Sequence, residues 1–200
     1  MTTNRNFDFS PDKDITAQVY DNINDYLWIA FAQNTSGNCI IEKASKFSPT
    51  QTYFSLTRAV TEVNAMAVDS SKVYVAYNDS TYLGEIISTT NPLTSYTKIA
   101  KTTVESPIDV LISGSDLWFL LPGSASGTNA KLLRYNTSGV LQETIDLQES
   151  GSIVNDAKSM TIDTNNDIWI GTYTTPATIV RVYELSGGTW SFTIDNTLIL

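Results

Sequence analysis

Apolar and polar residues alternate along most of the chain in short bursts, each closed by a polar turn. The clearest burst is Ser159–Tyr173, SMTIDTNNDIWIGTY, in which the apolar runs MTI and IWIG flank the turn DTNND. Asp, Asn and Thr side chains hydrogen-bond the local backbone, and Asn and Asp tolerate positive φ, so this pattern predicts a β-hairpin. The same shape returns at Val63–Tyr77 (VNAMAVDSSKVYVAY) and at Ser106–Leu121 (SPIDVLISGSDLWFLL). A fourth copy with a longer turn covers Asp14–Phe31. Two further strand-like segments follow each hairpin: 38–44 and 50–56, 82–88 and 95–101, then KLLRYN and VLQETIDL, then ATIVRVYEL and TWSFTID. Turn signals separate them, namely Asn91-Pro92, the Gly/Ser-rich stretch Pro122–Ala130, Thr137-Ser138-Gly139 and Ser186-Gly187-Gly188.

One position sets the register, the aromatic of each second strand: Trp28, Tyr74, Trp118 and Trp169. Subtraction gives intervals of 46, 44 and 51 residues. Repeats of this length with four strands each match the blades of a β-propeller. The expected fold is all-β, a single propeller-like domain of four four-stranded antiparallel blades at about 14–57, 63–101, 107–147 and 157–195. It is either a small closed ring or one arc of a larger one. The aromatics are expected to fill the tapering gap between adjacent sheets. A strand at Asn4–Ser10 and an apolar tail at Thr197–Leu200 are surplus to the repeats, and unpaired edges of that kind invite pairing with another subunit. A homo- or hetero-oligomer with protein partners is therefore expected.

Composition agrees with this picture. Thr, Ser and Asn are abundant, no run approaches a membrane span, and 42% apolar content over 200 residues suffices for one core. Twelve basic residues against 21 acidic ones give a net charge of −9, which disfavours nucleic acid and anionic membranes as partners. The lone Cys39 cannot form an intrachain disulfide and suits a small buried position. The opening residues lack the pattern of a secretory leader, so export by lysis or another route is expected, with a virion or extracellular location favoured and the cytoplasm left open. The sequons at Asn34, Asn78 and Asn136 carry little weight without such a leader.

The segments AVDSSKVYVAY, TIDTNNDIWIGTY and KLLRYNTSGVLQETI resemble a broad group of propeller repeats. That group includes the NHL-type repeats, the two-component-regulator propellers, and the gluconolactonase and virginiamycin B lyase relatives. These families share a blade rather than a function. The lyase resemblance would imply a catalytic histidine, and the sequence has no histidine at all. The gluconolactonase resemblance implies Glu, Asn and Asp around an axial divalent ion. Asp14, Asn64, Asp109 and Asp156, near the starts of the first strands, are the candidate oxygen ligands for Ca²⁺. Asp69 and Asp163 recur after the first strand and are explained by turn formation.

Three functions follow. The first is a non-enzymatic structural or interaction module, such as a virion- or tail-associated or other extracellular assembly protein. The second is a carbohydrate- or ligand-binding propeller using Tyr53, Tyr82, Tyr173 and Trp190 on exposed loops. The third is a metal-dependent lactonase-like hydrolase built on the axial carboxylates.

Overall fold

The computed structural model describes residues 14–33, 36–45, 54–124, 128–149, 152–173, 177–185 and 188–195. Asn4–Ser10, Tyr53 and Thr197–Leu200 lie outside the described residues. Within them the chain is all-β and forms four four-stranded antiparallel sheets in simple sequential order. The first blade comprises β1 (Ile15–Asp21), β2 (Tyr26–Phe31), β3 (Cys39–Ser45) and β4 (Phe54–Arg58). The second comprises β5 (Glu62–Val68), β6 (Lys72–Asn78), β7 (Tyr82–Ser88) and β8 (Tyr96–Ala100). The third comprises β9 (Asp109–Ser113), β10 (Asp116–Leu121), β11 (Lys131–Asn136) and β12 (Leu141–Asp146). After a short hairpin, β13 (Gln148–Glu149) with β14 (Ser152–Ile153), the fourth blade holds β15 (Ala157–Ile162), β16 (Ile168–Thr172), β17 (Ile179–Glu184) and β18 (Trp190–Asp195). The small hairpin is a feature that the sequence pattern does not announce.

The first hairpin of each blade is set by its turn. Asp69 Oδ1 accepts the N–H groups of Ser71 and Lys72 at 2.7 and 2.8 Å, closing the β5–β6 turn. Its Oδ2 accepts the Tyr74 hydroxyl at 2.6 Å, so one carboxylate fixes both the turn and the aromatic. Asp163 does the same in the fourth blade, taking the Asn165 and Asp167 N–H groups and the Trp169 indole N–H at 2.9 Å. The third blade makes the turn with Gly114 instead, at φ 58°, where a side chain would be strained.

Successive sheets stack face to face, and the core lies between them. Each second-strand aromatic points at the following blade. Trp28 joins Val63, Val73 and Val75 in the seam between blades one and two. Tyr74 meets Val110, Leu117 and Phe119 in the next seam, and Trp118 meets Ile168, Ile170 and Val180 in the third. All three are at most 1% exposed. Gly84 on β7 shows how tight a seam is: a Cβ there would come within 2.9 Å of the Phe119 ring and 2.2 Å of the Val75 carbonyl. Cys39 is fully buried in the first seam, as its apolar setting on β3 suggests.

A buried charge cluster pins the first seam at its rim. Arg58 Nε lies 2.8 and 2.9 Å from the two carboxylate oxygens of Glu85, which also accepts the Tyr77 hydroxyl at 2.5 Å. Glu85 is wholly inaccessible. Burial and the Glu85 charge push the Tyr77 phenol well above its ordinary value, so it remains a donor.

Two outcomes follow for stability. Glu85→Ala strands a buried guanidinium and should cost about 3–5 kcal/mol in urea denaturation, the range for breaking one side of a buried pair. Burial works to raise the Asp69 carboxyl, but the bonds from Tyr74, Ser71 and Lys72 outweigh it and hold the group below its ordinary 3.8. A depressed native pKa stabilises the fold above the unfolded value, and that gain is lost as pH falls through the native one. Asp69→Ala should thus cost about 1–2 kcal/mol at neutral pH. The gap from wild type should shrink below pH 3.8, measured by denaturation at matched pH.

Candidate functional site

Three seams join four blades in the described residues, and no buried cluster there joins the fourth blade to the first. The leading face of the fourth blade, the side that corresponds to the covered sides of the other three, therefore differs from them in its surroundings. Trp169 is the fourth copy of the seam aromatic, yet it is only partly buried. Around it lies a trough of about 210 Å³ walled by Ser159, Thr161, Trp169, Gly171 and Ile179.

Strand register gives the equivalent residues in the other blades. The first-strand partner of the aromatic is Val19, Ala67, Leu111 and then Thr161. One pleat away the first strand carries Ala17, Ala65, Asp109 and then Ser159. The second strand there carries Ala30, Ala76, Leu120 and then Gly171. The fourth blade thus places exposed hydroxyls where the first two carry alanine or valine, and no side chain at the floor. A Cβ on Gly171 would meet only the Ser159 Oγ, at 3.9 Å. At Gly84 the missing side chain makes room for Phe119; at Gly171 the space is empty.

The third-strand partner of the aromatic is basic in three blades: Lys43, Arg134 and Arg181. Arg181 lies 5.8 Å from the Trp169 ring centre and 5.2 Å from that of Tyr183, within cation–π range. Its charge is met by Asp167, with Nε to Oδ2 at 2.8 Å and a second guanidinium nitrogen at 2.5 Å. The indole N–H bond holds the Asp163 carboxyl below the usual aspartate range. The edge of Trp169 is therefore tied down, and the residue lines the trough.

A second hollow of about 400 Å³ lies between the outer strands β12 and β18 and is lined by Glu143, Asp146, Gln148 and Trp190. Its charged and amide side chains are already paired, while the buried Trp190 indole N–H has no hydrogen-bond partner among the described residues. Glu143 faces Arg134 at 3.3 Å, and Asp146 and Gln148 both accept from Asn129, at 2.9 and 3.0 Å.

The residues proposed from sequence fall in varied places. Trp190 is on β18 rather than a loop, edge-on to Trp118 with ring centres 4.7 Å apart. Tyr82 opens β7, packs on the first seam and carries Lys98 4.3 Å over its ring. Tyr173 follows β16 and is 78% exposed, with the Lys158 ammonium 5.8 Å from its ring centre. The axial quartet does not share one register. Asn64 sits on a bulge of β5 and donates to the Pro107 carbonyl at 2.7 Å. Asp109 accepts the Met160 N–H at 2.7 Å, and burial raises its carboxyl. Asp14 and Asp156 precede their strands, and Asp156 pairs with Lys158 at 2.5 Å. Asn64 and Asp109 thus clip one blade to the next, and among the described residues no three acidic, cysteine or histidine side chains gather in one place.

No protein-family model matches the sequence, and no curated protein matches it. Solved β-propeller structures do resemble the fold. A nidogen/laminin complex aligns with TM-score 0.62 at 14% identity, covering 84% of this chain and 61% of that one. Hydrazine synthase of Kuenenia stuttgartiensis aligns with TM-score 0.63 at 12% identity, covering 90% and 53%. A putative gluconolactonase gives 0.59 at 12% identity, covering 90% and 63%. The chain thus spans between half and two thirds of the length of these structures. At such identities the likeness is one of fold, and the chain is a β-propeller-type array of four blades.

Proposed function

We propose that the chain is a non-enzymatic β-propeller interaction module, and that the leading face of its fourth blade is the surface it works with. One observation carries this: Trp169 occupies the position at which Trp28, Tyr74 and Trp118 are sealed by a following blade, and it stands at an open trough instead. A large aromatic left partly uncovered forgoes burial worth a few kcal/mol, which a purely structural face has no reason to give up. The first-strand polar groups that a lactonase-like reaction would need are spent on blade-to-blade hydrogen bonds at Asn64 and Asp109. Assembly with protein partners in a virion, tail or extracellular setting is the narrower form of the proposal. It rests on the Ser/Thr/Asn-rich composition and the absence of histidine.

Thr161→Arg tests the face without touching a seam, because Thr161 is exposed at its centre. A surface change of this kind should leave stability within about 0.5 kcal/mol of wild type. The wild-type chain should self-associate in light scattering over a concentration series, or be retained on an immobilised-glycan surface, and the variant should do neither. A wild-type chain that does neither, or a variant that behaves as wild type, would overturn the assignment of this face.

A further inference from the structure

We infer that the trough on the fourth blade takes a neutral pyranose ring, one sugar unit of a glycan, stacked on Trp169. This rests on the open face being the working surface and names what that face recognises.

Size comes first. About 210 Å³ is small for a drug-sized ligand but suits a single ring. Chemistry comes second. A sugar ring has an apolar C–H face and an equator of hydroxyls, so its site needs one flat aromatic wall and polar groups at right angles to it. Trp169 supplies the wall, with its indole edge held by Asp163 at 2.9 Å. Ser159 and Thr161 supply exposed hydroxyls from the neighbouring strand, each able to donate and accept. Gly171 leaves the floor clear between them.

Charge decides between ligand classes. Arg181 is the cation nearest the indole, but both of its contacting nitrogens are committed to Asp167. Asp163 and Asp167 flank the aromatic and the whole chain carries −9, so among the described residues an anionic ligand meets no unpaired cation there. A cationic ligand would have to displace Arg181 from the indole and Asp167. A neutral polyol meets neither obstacle. A further propeller blade fits poorly for a different reason. The rear faces that blades two to four present to a seam are mostly Val, Ile and Leu with Met66, Tyr77, Phe119 and Tyr135 among them, and the aliphatic stretches of such a face would bury the hydroxyls of Ser159 and Thr161 without partners.

The test uses the whole chain labelled with ¹⁵N, whose four tryptophan indole N–H signals report separately on Trp28, Trp118, Trp169 and Trp190. Neutral oligosaccharides of glucose, galactose, mannose and N-acetylglucosamine are titrated into it at millimolar concentration. The expected result is a saturable shift of the Trp169 signal by at least one series, with the Trp28 signal unmoved. Gly171→Val fills the floor on a strand that tolerates a β-branched residue, and its added Cβ meets no atom closer than 3.9 Å. It should keep the unliganded spectrum and weaken the shift at least tenfold. No shift with any oligosaccharide overturns the inference, as does a shift that survives in Gly171→Val. Shifts spread over all four indoles, a sign of weak surface association only, overturn it too. Loss of sugar binding with self-association through Thr161 intact would remove the sugar and leave the interaction face standing.

Discussion

A four-stranded sheet with apolar residues on both faces cannot be stable in water by itself, and everything else in this chain answers that constraint. Each of the first three blades hides its leading face against the rear face of the next. The gap between two twisted sheets tapers, so the filler must be large on one strand and small beside it. Trp28 with Ala17 and Ala30 is one solution, and Tyr74 with Ala65, Ala76 and Gly84 is another. Where the second blade economises on side-chain volume, Phe119 of the third leans in to fill it. Complementarity between neighbours therefore matters more than any single blade's sequence.

Burying sheet faces leaves polar atoms at the rims, and these become the fastenings between blades. Asn64 reaches Pro107, Asp109 reaches the Met160 N–H, Lys43 reaches the Thr89 carbonyl and Lys72 the Thr137 carbonyl, the last two at 2.9 and 2.6 Å. Each spans one seam and fixes how far adjacent sheets can slide. The cost of burying Arg58, Glu85 and Tyr77 together is offset only while all three are present, which makes the first seam specific as well as stable. Residues of the kind that serve as ligands in other chemistry are here committed to holding the array together.

The repeat was legible in the sequence because alternation with period two and a turn-forming Asp are local properties. Asp69 and Asp163 behave as their positions suggest, and the aromatics fall on second strands in all four blades. What could not be read locally was register. Bulges in β1, β5 and β15 shift the first strands by one residue, so Asn64 sits on a bulge and donates to the Pro107 carbonyl while Asp109, on an unbulged strand, accepts the Met160 N–H. Tyr82 and Trp190 fall within the expected strand segments 82–88 and TWSFTID, and pairing keeps both in strands rather than on exposed loops. Trp169 differs from the other three aromatics in its surroundings rather than in its strand. Its own hairpin is identical in kind to the others, and only the neighbour it lacks in the described residues changes its meaning. The clue available beforehand was the substitution of Ser159 and Thr161 for the alanines and valine of earlier repeats.

On the reading proposed above, that substitution suits an interaction face better than one that only has to stay soluble. A cap has only to keep an end soluble, and charged or long polar side chains over the former seam positions would do so while covering the aliphatic stubs beneath. The fourth blade does something different. It retains the largest aromatic, clamps its edge with Asp163, backs it with Arg181, and then clears the adjacent floor to glycine, which weakens a strand interior. Short hydroxyls, rather than lysine or glutamate, line the first-strand side of the ring at Ser159 and Thr161. Each choice makes the end less well covered and the aromatic better presented. A face shaped by solubility alone would have moved in the reverse direction at every one of these positions.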